Sequence, residues 1–340
     1  MATTSIKEVA RHAGVSIGTV SNVLNRPDTV APGTRQRVLD AISTLGYVRN
    51  DPARQLRAGR SRTIAVVVLD VANPFFTDVV QGAEAVAESR GAVVVVCNSG
   101  EDPSRERRHL DLLEEQRVQG VLITPVDDGR ESRLEQFIRR GTPVVLVDRG
   151  TGRQNRCSVA VDDVLGGRLA GAHLAAMGHR RVAFVGGPLT IPQVADRCAG
   201  FRQALAAAPA TPEPVLLGTR GLTVAGGRGA GEELAAMPPG QRPTAVFCAN
   251  DLLALGVLQV MTLRGVRVPT DIAIIGYDDI EFAAAAAVPV SSVRQPREQL
   301  GRTAAQLLLE EIHEGDRHEH RHVMFKPELV VRQSSAQPRG

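Results

Sequence analysis

Apolar residues recur every three or four positions in the first part of the chain. Over residues 5–45 this spacing predicts three short helices, and the apolar positions are Ile6, Val9, Ala10, Ala13, Val15, Val20, Val23, Leu24, Val38, Ile42 and Leu45. Gly14 can adopt the positive φ that ends the first helix, and Ser16 can cap the second. Pro32 suits the first turn of the third helix, although Ala31 before it is a poor cap. The first two helices are therefore predicted to form a helix-turn-helix.

After residue 62 the pattern changes to short apolar runs that alternate with helical stretches. Continuous apolar strands separated by amphipathic helices are typical of parallel sheets with both faces covered. The predicted strands span residues 64–69, 93–97, 121–123, 144–147, 182–185, 245–247 and 272–275. Because this many strands exceeds one compact domain, we predict an α/β core of two Rossmann-like subdomains. We expect the chain to cross between them near residues 158–164, 277–280 and 294–295.

A polar and basic segment separates the two patterns. Residues 49–61 contain a single large apolar residue, Leu56, so this segment is predicted to be a linker rather than part of a core. The expected division is a helix-turn-helix domain at residues 1–48, a hinge linker at 49–61 and an effector-binding and dimerisation core at 62–340.

Charge is distributed unevenly between these parts. The formal net charge of the whole chain is +3, but residues 1–61 hold nine basic and four acidic side chains, which is a charge of +5. The remainder therefore carries −2. A basic head on a slightly acidic body is expected when one part binds a polyanion and the other does not. On charge alone, a solvated surface that is basic by chance remains the alternative.

The cysteines and the hydropathy pattern narrow the class of protein. Cys97, Cys157, Cys198 and Cys248 are far apart and show no spacing with one another or with histidine that is typical of zinc. We therefore interpret them as free, mostly buried thiols and predict neither a metal nor a cofactor. The first residues are polar, and no apolar run approaches the roughly 18 residues that span a bilayer. Without a signal peptide or a membrane span, the protein is expected in the cytoplasm.

A nucleotide-dependent enzyme built on doubly wound domains is the main alternative class. Such an enzyme needs a phosphate-binding loop, but no Gly-x-Gly-x-x-Gly follows a strand and no Walker sequence occurs. The glycines between residues 226 and 231 fall in a region predicted to be a loop with no apolar strand before it. His173, His179 and the histidines of residues 313–322 show no catalytic or metal-binding spacing. The Gly-x-Ser-x-Gly match at residues 14–18 follows a helix, whereas a nucleophile elbow follows a strand. The chain is predicted not to be an enzyme.

The second predicted helix has an outward face suited to duplex DNA. If Val20, Val23 and Leu24 face a core, the remaining positions face solvent. There asparagine can bind adenine through two hydrogen bonds and isoleucine can contact a thymine methyl, while short hydroxyl side chains bind phosphate. The predicted DNA-binding residues of the head are Ser16, Ile17, Gly18, Thr19, Ser21, Asn22, Asn25 and Thr34. A helical bundle with a structural or protein-binding role is the alternative.

Short motifs occur along nearly the whole chain. In the head and linker they are Ala13-Gly14-Val15-Ser16, Thr19-Val20-Ser21, Leu45-Gly46-Tyr47 and Pro52-Ala53-Arg54-Gln55-Leu56. In the core they are Asn73-Pro74-Phe75-Phe76, Val147-Asp148-Arg149, Val161-Asp162-Asp163, Gly178-His179-Arg180-Arg181, Asn250-Asp251, Gly276-Tyr277-Asp278-Asp279 and Gln295-Pro296. In these motifs and their order the chain resembles the lactose repressor/galactose repressor (LacI/GalR) family of bacterial transcription regulators. The resemblance implies an all-α three-helix head, a hinge, and a periplasmic-binding-protein-like α/β core.

The resemblance also implies a role for the linker. In that family the linker folds into a short hinge helix on operator DNA, and a leucine that matches Leu56 enters the minor groove. There a leucine can unstack a base step, while Arg54 and Arg57 meet the narrowed groove and its phosphates. In an ordinary linker, by contrast, Leu56 would be exposed without consequence.

A small-molecule effector of the sugar class is the further implication of the resemblance. Ligands of open parallel sheets bind beyond the carboxyl ends of the strands, where the matching residues fall. Planar polar side chains can pair with sugar hydroxyls, and an aromatic ring can cover the C–H face of the sugar. The predicted effector-binding residues are Asn73, Phe75, Phe76, Asp148, Arg149, Arg197, Asn250, Tyr277, Asp278 and Gln295. Any one of them alone would more often be a turn or cap residue.

The chain departs from familiar members of the family at several points. Aromatic residues make up 3% and tryptophan is absent, so an aromatic stacking platform must be reduced here. Ala31 stands where a capping serine is common, and Gly18 leaves a usual base-contacting position without a side chain. Relatives that tetramerise do so through a leucine heptad, and none follows Val331, so we expect a homodimer.

Together these features predict a repressor of carbohydrate-related genes. A homodimer would bind a pseudo-palindromic double-stranded operator, and a sugar-like effector would close the cleft and change the distance between the two hinges. A nucleoside or another polar metabolite is the alternative effector. The direction of the response depends on which dimer geometry the closed cleft favours.

Overall fold

The computed structural model describes residues 4–47, 61–126, 132–150, 155–208 and 213–336. The chain divides into two compact units, Met1–Arg60 and Ser61–Gly340, here called the head and the core. Nearly all of the predicted linker, with Arg54, Leu56 and Arg57, lies outside the described residues.

Three helices form the head, as predicted. They are α1 (Ile6–Ala13), α2 (Ile17–Asn25) and α3 (Pro32–Leu45), with a 3-10 turn at Pro27–Thr29. Gly14 ends α1 with a φ of 65°, and the side chain of Ser16 caps α2. Val9, Val20 and Val38, one from each helix, are fully buried in a shared cluster. The predicted helix-turn-helix is therefore confirmed.

The described strands of the core form two six-stranded sheets. Those of the first sheet are β1 (Thr63–Val68), β2 (Val93–Asn98), β3 (Gly120–Ile123), β4 (Val144–Val147), β5 (Cys157–Val161) and β11 (His322–Phe325). Those of the second are β6 (Val182–Val185), β7 (Val215–Leu217), β8 (Ala245–Cys248), β9 (Ala273–Asp278), β10 (Ser291–Arg294) and β12 (Glu328–Val330). Their orders are β11-β5-β4-β3-β1-β2 and β12-β10-β9-β8-β6-β7, and only β10 and β12 pair antiparallel within the described sheets. The predicted two-subdomain α/β core is confirmed.

Helices cover the sheets. They are α4 (Pro74–Ser89), α5 (Pro103–Glu115), α6 (Arg133–Arg139), α7 (Asp163–Ala176), α8 (Pro192–Ala206), α9 (Val224–Ala236), α10 (Asp251–Leu263), α11 (Glu281–Ala285) and α12 (Arg297–Glu314), with a 3-10 turn at Gly315–Arg317. Alternate residues of β1 pack on opposite faces: Ile64 and Val66 contact the cluster that includes α4 and α12, whereas Ala65 and Val67 contact α5 and α6. Both faces of the first sheet are thus buried, which explains the continuous apolar strand sequence. Among the described helices, none combines the length and apolarity that crossing a bilayer requires.

The described core shows where the chain passes between the two sheets. β5 ends at Val161 and α7 packs in the second subdomain, as expected for a crossing near residues 158–164. After β10 the chain returns to the first sheet through α12, also as expected. The crossing predicted near residues 277–280 is wrong, because β9 and β10 are neighbours in the second sheet. The last crossing lies instead at residues 326–327, between β11 and β12.

Five strands escaped the sequence prediction, namely β5, β7, β10, β11 and β12. Cys157 and Ser158 begin β5, and Ser291 and Ser292 begin β10, so neither strand is a purely apolar run. The other three lie at sheet edges and are partly exposed. A pattern of continuous apolar residues predicts strands that have such a run, including the edge strand β2, but not the short edge strands or the strands that contain polar residues.

The glycines between residues 226 and 231 lie in helix α9, and not in a loop as predicted. Glycine weakens an isolated helix, but here it allows α9 and α10 to approach each other closely. A Cβ at Gly227 would lie 2.2 Å from the carbonyl oxygen of Leu253, and one at Gly231 would lie 2.9 Å from Val260. Close helix packing therefore overrides the local preference of these residues.

We expect two glycine-to-alanine substitutions in α9 to change the free energy of unfolding in opposite directions. Gly227→Ala should destabilise the protein by about 1–3 kcal/mol or more, because the new methyl group collides with the backbone of Leu253. Gly229→Ala should stabilise it by up to about 1 kcal/mol, since no atom lies within 4 Å of its Cβ position and alanine favours the helix. Chemical denaturation of both variants measures the difference. Equal effects would contradict the close approach of the two helices.

Candidate effector cleft and nucleic-acid-binding surface

A cavity of about 280 Å³ is lined by residues at the carboxyl ends of strands from both sheets. Asp70 and Glu101 follow β1 and β2, and Asp148 follows β4. On the other side, Asn250 follows β8 and Asp278 is the last residue of β9. Carboxyl ends of parallel strands are where ligands of this architecture bind. We call this cavity the effector cleft.

The structure brings most of the predicted effector-binding residues together. Those that line the effector cleft are Asn73, Phe75, Phe76, Asp148, Arg197, Asn250 and Asp278. Tyr277 and Gln295 are buried behind the lining, where they contact Arg197 and Asp278. Arg149 is half-buried next to Asp148 and does not line the cleft. Direct ligand contact by any of these ten residues stays a prediction.

Several lining residues were missed by the sequence analysis. Asp70 and Glu101 follow strands β1 and β2 directly, so the same strand-end argument could have found them. Ile191 and Gln193 come from the start of α8, and Thr223 caps α9. No motif marks these three, because their positions depend on how the two loops fold over the sheet edge.

Arg197 lines the effector cleft and is bound by residues from several elements of the core. The residue is 4% exposed, and its Nε donates to Asp163 Oδ1 at 2.7 Å while one terminal nitrogen donates to the Ala249 carbonyl at 2.8 Å. The same nitrogen lies 3.9 Å from Asp278 Oδ1. The guanidinium carbon is 3.7 Å from the ring centroid of Tyr277. A buried cation is tolerated only with such compensation, and these contacts supply it.

Asp278 presents a carboxylate that burial destabilises. The residue has a φ of 101°, its Oδ1 accepts a hydrogen bond from Gln295 Nε2 at 2.7 Å, and the Arg297 guanidinium binds its backbone oxygen. Burial raises the pKa of Asp278 to about 6, against the opposing effect of Arg197. A hydrogen-bond donor from a ligand would stabilise the ionised form.

Asp148 is the second buried carboxyl of the lining. It has a φ of 55°, and Gln193 Nε2 donates to its backbone oxygen and, at 3.3 Å, to its Oδ2. Burial, followed by the nearby Asp163 carboxylate, raises the pKa of Asp148 well above its usual range. Its Oδ1 is buried and has no hydrogen-bond partner among the described residues. Such an atom ordinarily has a partner, so this oxygen is placed to accept a donor from a ligand.

Asn73 and Asn250 also have structural tasks. Asn73 Oδ1 accepts from the backbone N–H of Phe75 at 3.0 Å and caps α4. Asn250 Oδ1 accepts from Leu253 at 3.0 Å and caps α10, while its Nδ2 donates to the Leu222 carbonyl at 2.9 Å. Both side chains are therefore held rigidly at the cleft by their own helices.

Apolar residues also line the cleft. Phe75 and Phe76 are buried and meet edge to face, with ring centroids 4.9 Å apart. Ile191, Val194 and Leu222 continue the apolar lining. Since a sugar ring carries both hydroxyls and C–H faces, a cleft lined by both polar and apolar side chains suits it.

The head places its predicted DNA-binding residues on and around one face of α2. Ser16, Ile17, Gly18, Asn22 and Asn25 are exposed, Thr19 and Ser21 are partly exposed, and Thr34 is a partly exposed residue of α3. Ile17 is 45% exposed.

The polar side chains of this face already make contacts with one another. Ser16 Oγ accepts from the Thr19 backbone at 3.1 Å and lies 2.9 Å from Thr19 Oγ1. Asn25 Nδ2 donates to the Ser21 carbonyl at 2.8 Å. Ile17 and Asn22 are exposed and take no part in these contacts, so they remain available as candidate base-contacting side chains.

Models of known protein families match two parts of the chain. Residues 5–50 match the bacterial regulatory proteins of the lacI family, and residues 172–335 match the periplasmic binding protein-like domain. The first match covers the head, and the second covers most of the second subdomain.

Characterised proteins are similar to nearly the whole chain. The HTH-type transcriptional repressor PurR of Aliivibrio fischeri strain ES114 is 35% identical over 332 residues, which are 97% of this chain and 98% of that protein. The structure of the transcriptional regulator CelR in complex with cellobiose is 35% identical with a TM-score of 0.70, covering 97% of this chain and 99% of that one. The lac repressor dimer bound to operator and the anti-inducer ONPF is 28% identical with a TM-score of 0.82, covering 98% and 99%.

These relatives are transcription regulators rather than enzymes, which agrees with the prediction from the sequence. Their similarity extends over the head and both subdomains, so the predicted family and fold class are confirmed. The chain belongs to the lacI family of bacterial regulatory proteins and is a transcriptional repressor.

Proposed function

We propose that the protein is a homodimeric repressor of carbohydrate-related genes, whose operator binding is controlled by a neutral, sugar-like effector in the effector cleft. The observation that carries this proposal is the acceptor-rich lining of the cleft, in which two buried carboxyl groups occur together with apolar and aromatic side chains. A repressor must reach operator DNA, so we place its action in the cytoplasm.

The charges of the lining favour a neutral ligand with many hydrogen-bond donors. Asp70, Glu101, Asp148 and Asp278 supply carboxyl groups, while Arg197 is the one cationic residue of the described lining. Arg197 is already bound to the carboxylate behind it. An anionic ligand such as a sugar phosphate would enter a region of like charge. A neutral polyol can instead donate its hydroxyls to these oxygens.

The size of the cleft and one relative support a small sugar. A volume of about 280 Å³ lies at the lower end of ligand pockets, which span roughly 300–1,000 Å³. The relative solved with cellobiose is similar over nearly the whole chain.

A nucleoside or nucleobase is the second candidate effector. Its ring N–H and amino groups could donate to Asp148 and Asp278, and its flat ring could pack on Phe75. The similarity to the repressor PurR supports keeping this candidate in the test.

Exposed apolar edge strands support a homodimer. Val93, Val95 and Val96 of β2 are 63%, 38% and 43% exposed, and β2 lies at the edge of the first sheet. Val215 and Leu216 are similarly exposed on β7, which is the corresponding edge of the second sheet. An uncovered apolar edge promotes uncontrolled pairing, and a second copy of the chain would cover it.

The linker would transmit closure of the cleft to the DNA. We propose that Leu56 enters the minor groove and that Arg54 and Arg57 meet the adjacent phosphates, as the family resemblance implies. The helix-turn-helix would bind the major groove through Ile17 and Asn22, with Ser16, Gly18, Thr19, Ser21, Asn25 and Thr34 near the backbone or bases. A coupling of about 1–3 kcal/mol between cleft and operator suffices for regulation.

Replacing Asn22 by alanine should reduce operator preference while leaving non-specific DNA binding nearly unchanged. Loss of a base contact costs about 1–3 kcal/mol, which is roughly a 5- to 150-fold loss of specific affinity. Fluorescence anisotropy with an operator selected from random duplexes and with a scrambled duplex measures both affinities. Gln36→Ala, an exposed change on α3, is the control and should alter neither. Equal loss for both duplexes would show that Asn22 does not read bases.

A thermal-shift screen of neutral sugars, their phosphates and nucleosides tests the effector class. A neutral sugar at a hundredfold excess over its dissociation constant should stabilise the core by about 2.7 kcal/mol. Its phosphate should not. If only nucleosides stabilise the protein, the effector is of the second candidate class. If a sugar phosphate stabilises it more than the neutral sugar, the claim that the charges of the lining favour a neutral ligand is contradicted.

The affinity for the effector should fall as the pH is lowered through about 6, the pKa of Asp278. The ligand needs the ionised carboxylate as acceptor, so protonation competes with binding and the loss approaches about tenfold per pH unit below the pKa. Asp278→Asn should bind weakly and lose the part of the pH dependence that is centred near 6. Asp271→Asn is the matched control, because its salt bridge with Arg267 keeps the pKa of Asp271 at about 2, far below this window. A flat profile for the unmodified protein would remove Asp278 from the binding site.

A further inference from the structure

Four side chains with metal-binding atoms converge at the edge of the first sheet. Cys157 begins β5, and Glu311 lies in the last turns of α12. His318 and His320 precede β11, which pairs with β5 so that His322 lies opposite Ser158. These residues show no metal-binding spacing along the sequence, because strand pairing brings together residues more than 150 positions apart.

The distances between the four candidate ligand atoms are close to those found in a metal site. Cys157 Sγ lies 3.2 Å from His318 Nε2 and 3.9 Å from His320 Nδ1, and the latter lies 4.0 Å from Glu311 Oε2. All four lie within 4.8 Å of one another. Ligand bonds of about 2.0–2.3 Å in a tetrahedron separate the ligand atoms by roughly 3.3–3.7 Å. Small side-chain adjustments would therefore complete the geometry.

One atom of the cluster lacks a hydrogen-bond partner. Glu311 Oε2 is buried and makes no hydrogen bond among the described residues. A buried carboxylate oxygen in this state is rare and costly. A bound cation at the centre of the cluster would satisfy it.

Neighbouring groups hold two of the ligands in the orientation that a metal requires. His318 Nδ1 lies 2.7 Å from Glu314 Oε2, and in the neutral ring a proton shared there leaves Nε2, on the side facing Cys157, able to bind a metal. This carboxylate–histidine pairing is the usual support of a metal-binding imidazole. The backbone N–H of Arg321 donates to Cys157 Sγ at 3.3 Å and can stabilise a thiolate there. The His318 side chain is only 3% exposed.

We propose that Cys157, Glu311, His318 and His320 form a binding site for a divalent transition-metal ion of the Zn²⁺ class. One sulfur, two nitrogens and one oxygen favour Zn²⁺ and exclude hard ions such as Mg²⁺ and Ca²⁺. Four protein ligands leave no open position, so the site is structural.

The metal site is separate from the effector cleft. It lies at the amino ends of β5 and β11, whereas the cleft lies at the carboxyl ends of the strands. A bound ion would join the edge strand β11 and the end of α12 to β5. It therefore stabilises the edge of the first sheet.

Metal titration of the untagged full-length protein, stripped with chelator under reducing conditions, tests the proposal. Co²⁺ should bind at one ion per chain and give a thiolate-to-metal charge-transfer band with intense tetrahedral visible bands. Zn²⁺ should displace it and raise the midpoint of thermal unfolding by roughly 5–10 °C at a hundredfold excess over its dissociation constant. Mg²⁺ should do neither.

Matched variants assign the ligands. Cys157→Ser should abolish the charge-transfer band, while Cys198→Ser, a change at another buried thiol, should retain it. His320→Ala should weaken Co²⁺ binding at least about tenfold, while the exposed His313→Ala should not. If Cys157→Ser does not fold, the His320 and His313 pair decides alone. Substoichiometric binding, absence of the band in the unmodified protein, or equal affinities for the two histidine variants would overturn the proposal.

Discussion

The buried guanidinium of Arg197 is the interaction on which the core depends. It joins the start of α7 at Asp163, the end of β8 at Ala249 and the end of β9 at Asp278, so one side chain connects the strand ends that form half of the cleft. Removing one partner of such a buried cluster leaves a charge uncompensated. The free energy of unfolding then typically falls by about 3–5 kcal/mol. Asp278 is held at the cleft by these contacts and by Gln295, and its carboxyl group suits a ligand that donates hydrogen bonds.

Glycines make room for this arrangement. A Cβ at Gly166 would lie 2.3 Å from the Tyr277 hydroxyl, so only glycine allows Tyr277 to lie under Arg197. A Cβ at Gly167 would lie 2.0 Å from the carbonyl oxygen of Arg197 itself, so α7 and α8 can approach only because this position has no side chain. The backbone separations at these positions thus determine where the cation and its carboxylates lie, and through them the chemistry of the cleft.

Sequence patterns predict the features of this protein that depend on residues close together in the chain. Strands β4 and β6 match their predicted bounds because they are continuous apolar runs, and Asp148 and Asp278 lie in the cleft because strand ends share an edge. Gln193 and Thr223 could not be predicted, since their positions depend on loop conformation. The cluster around Cys157 was missed because its ligands meet only through the pairing of β5 with β11. The glycines of α9 were assigned to a loop because helix propensity ignores a neighbouring helix.

The central claim is that a polar ligand in the core and operator DNA on the head influence each other. Thermodynamic linkage makes this influence reciprocal. The most direct measurement is the dissociation constant of the stabilising ligand, by isothermal titration calorimetry, for the protein alone and for the protein saturated with operator. The account predicts that the two constants differ by roughly 5- to 150-fold. Equal constants would contradict it, because a ligand with the same affinity for both forms cannot regulate DNA binding.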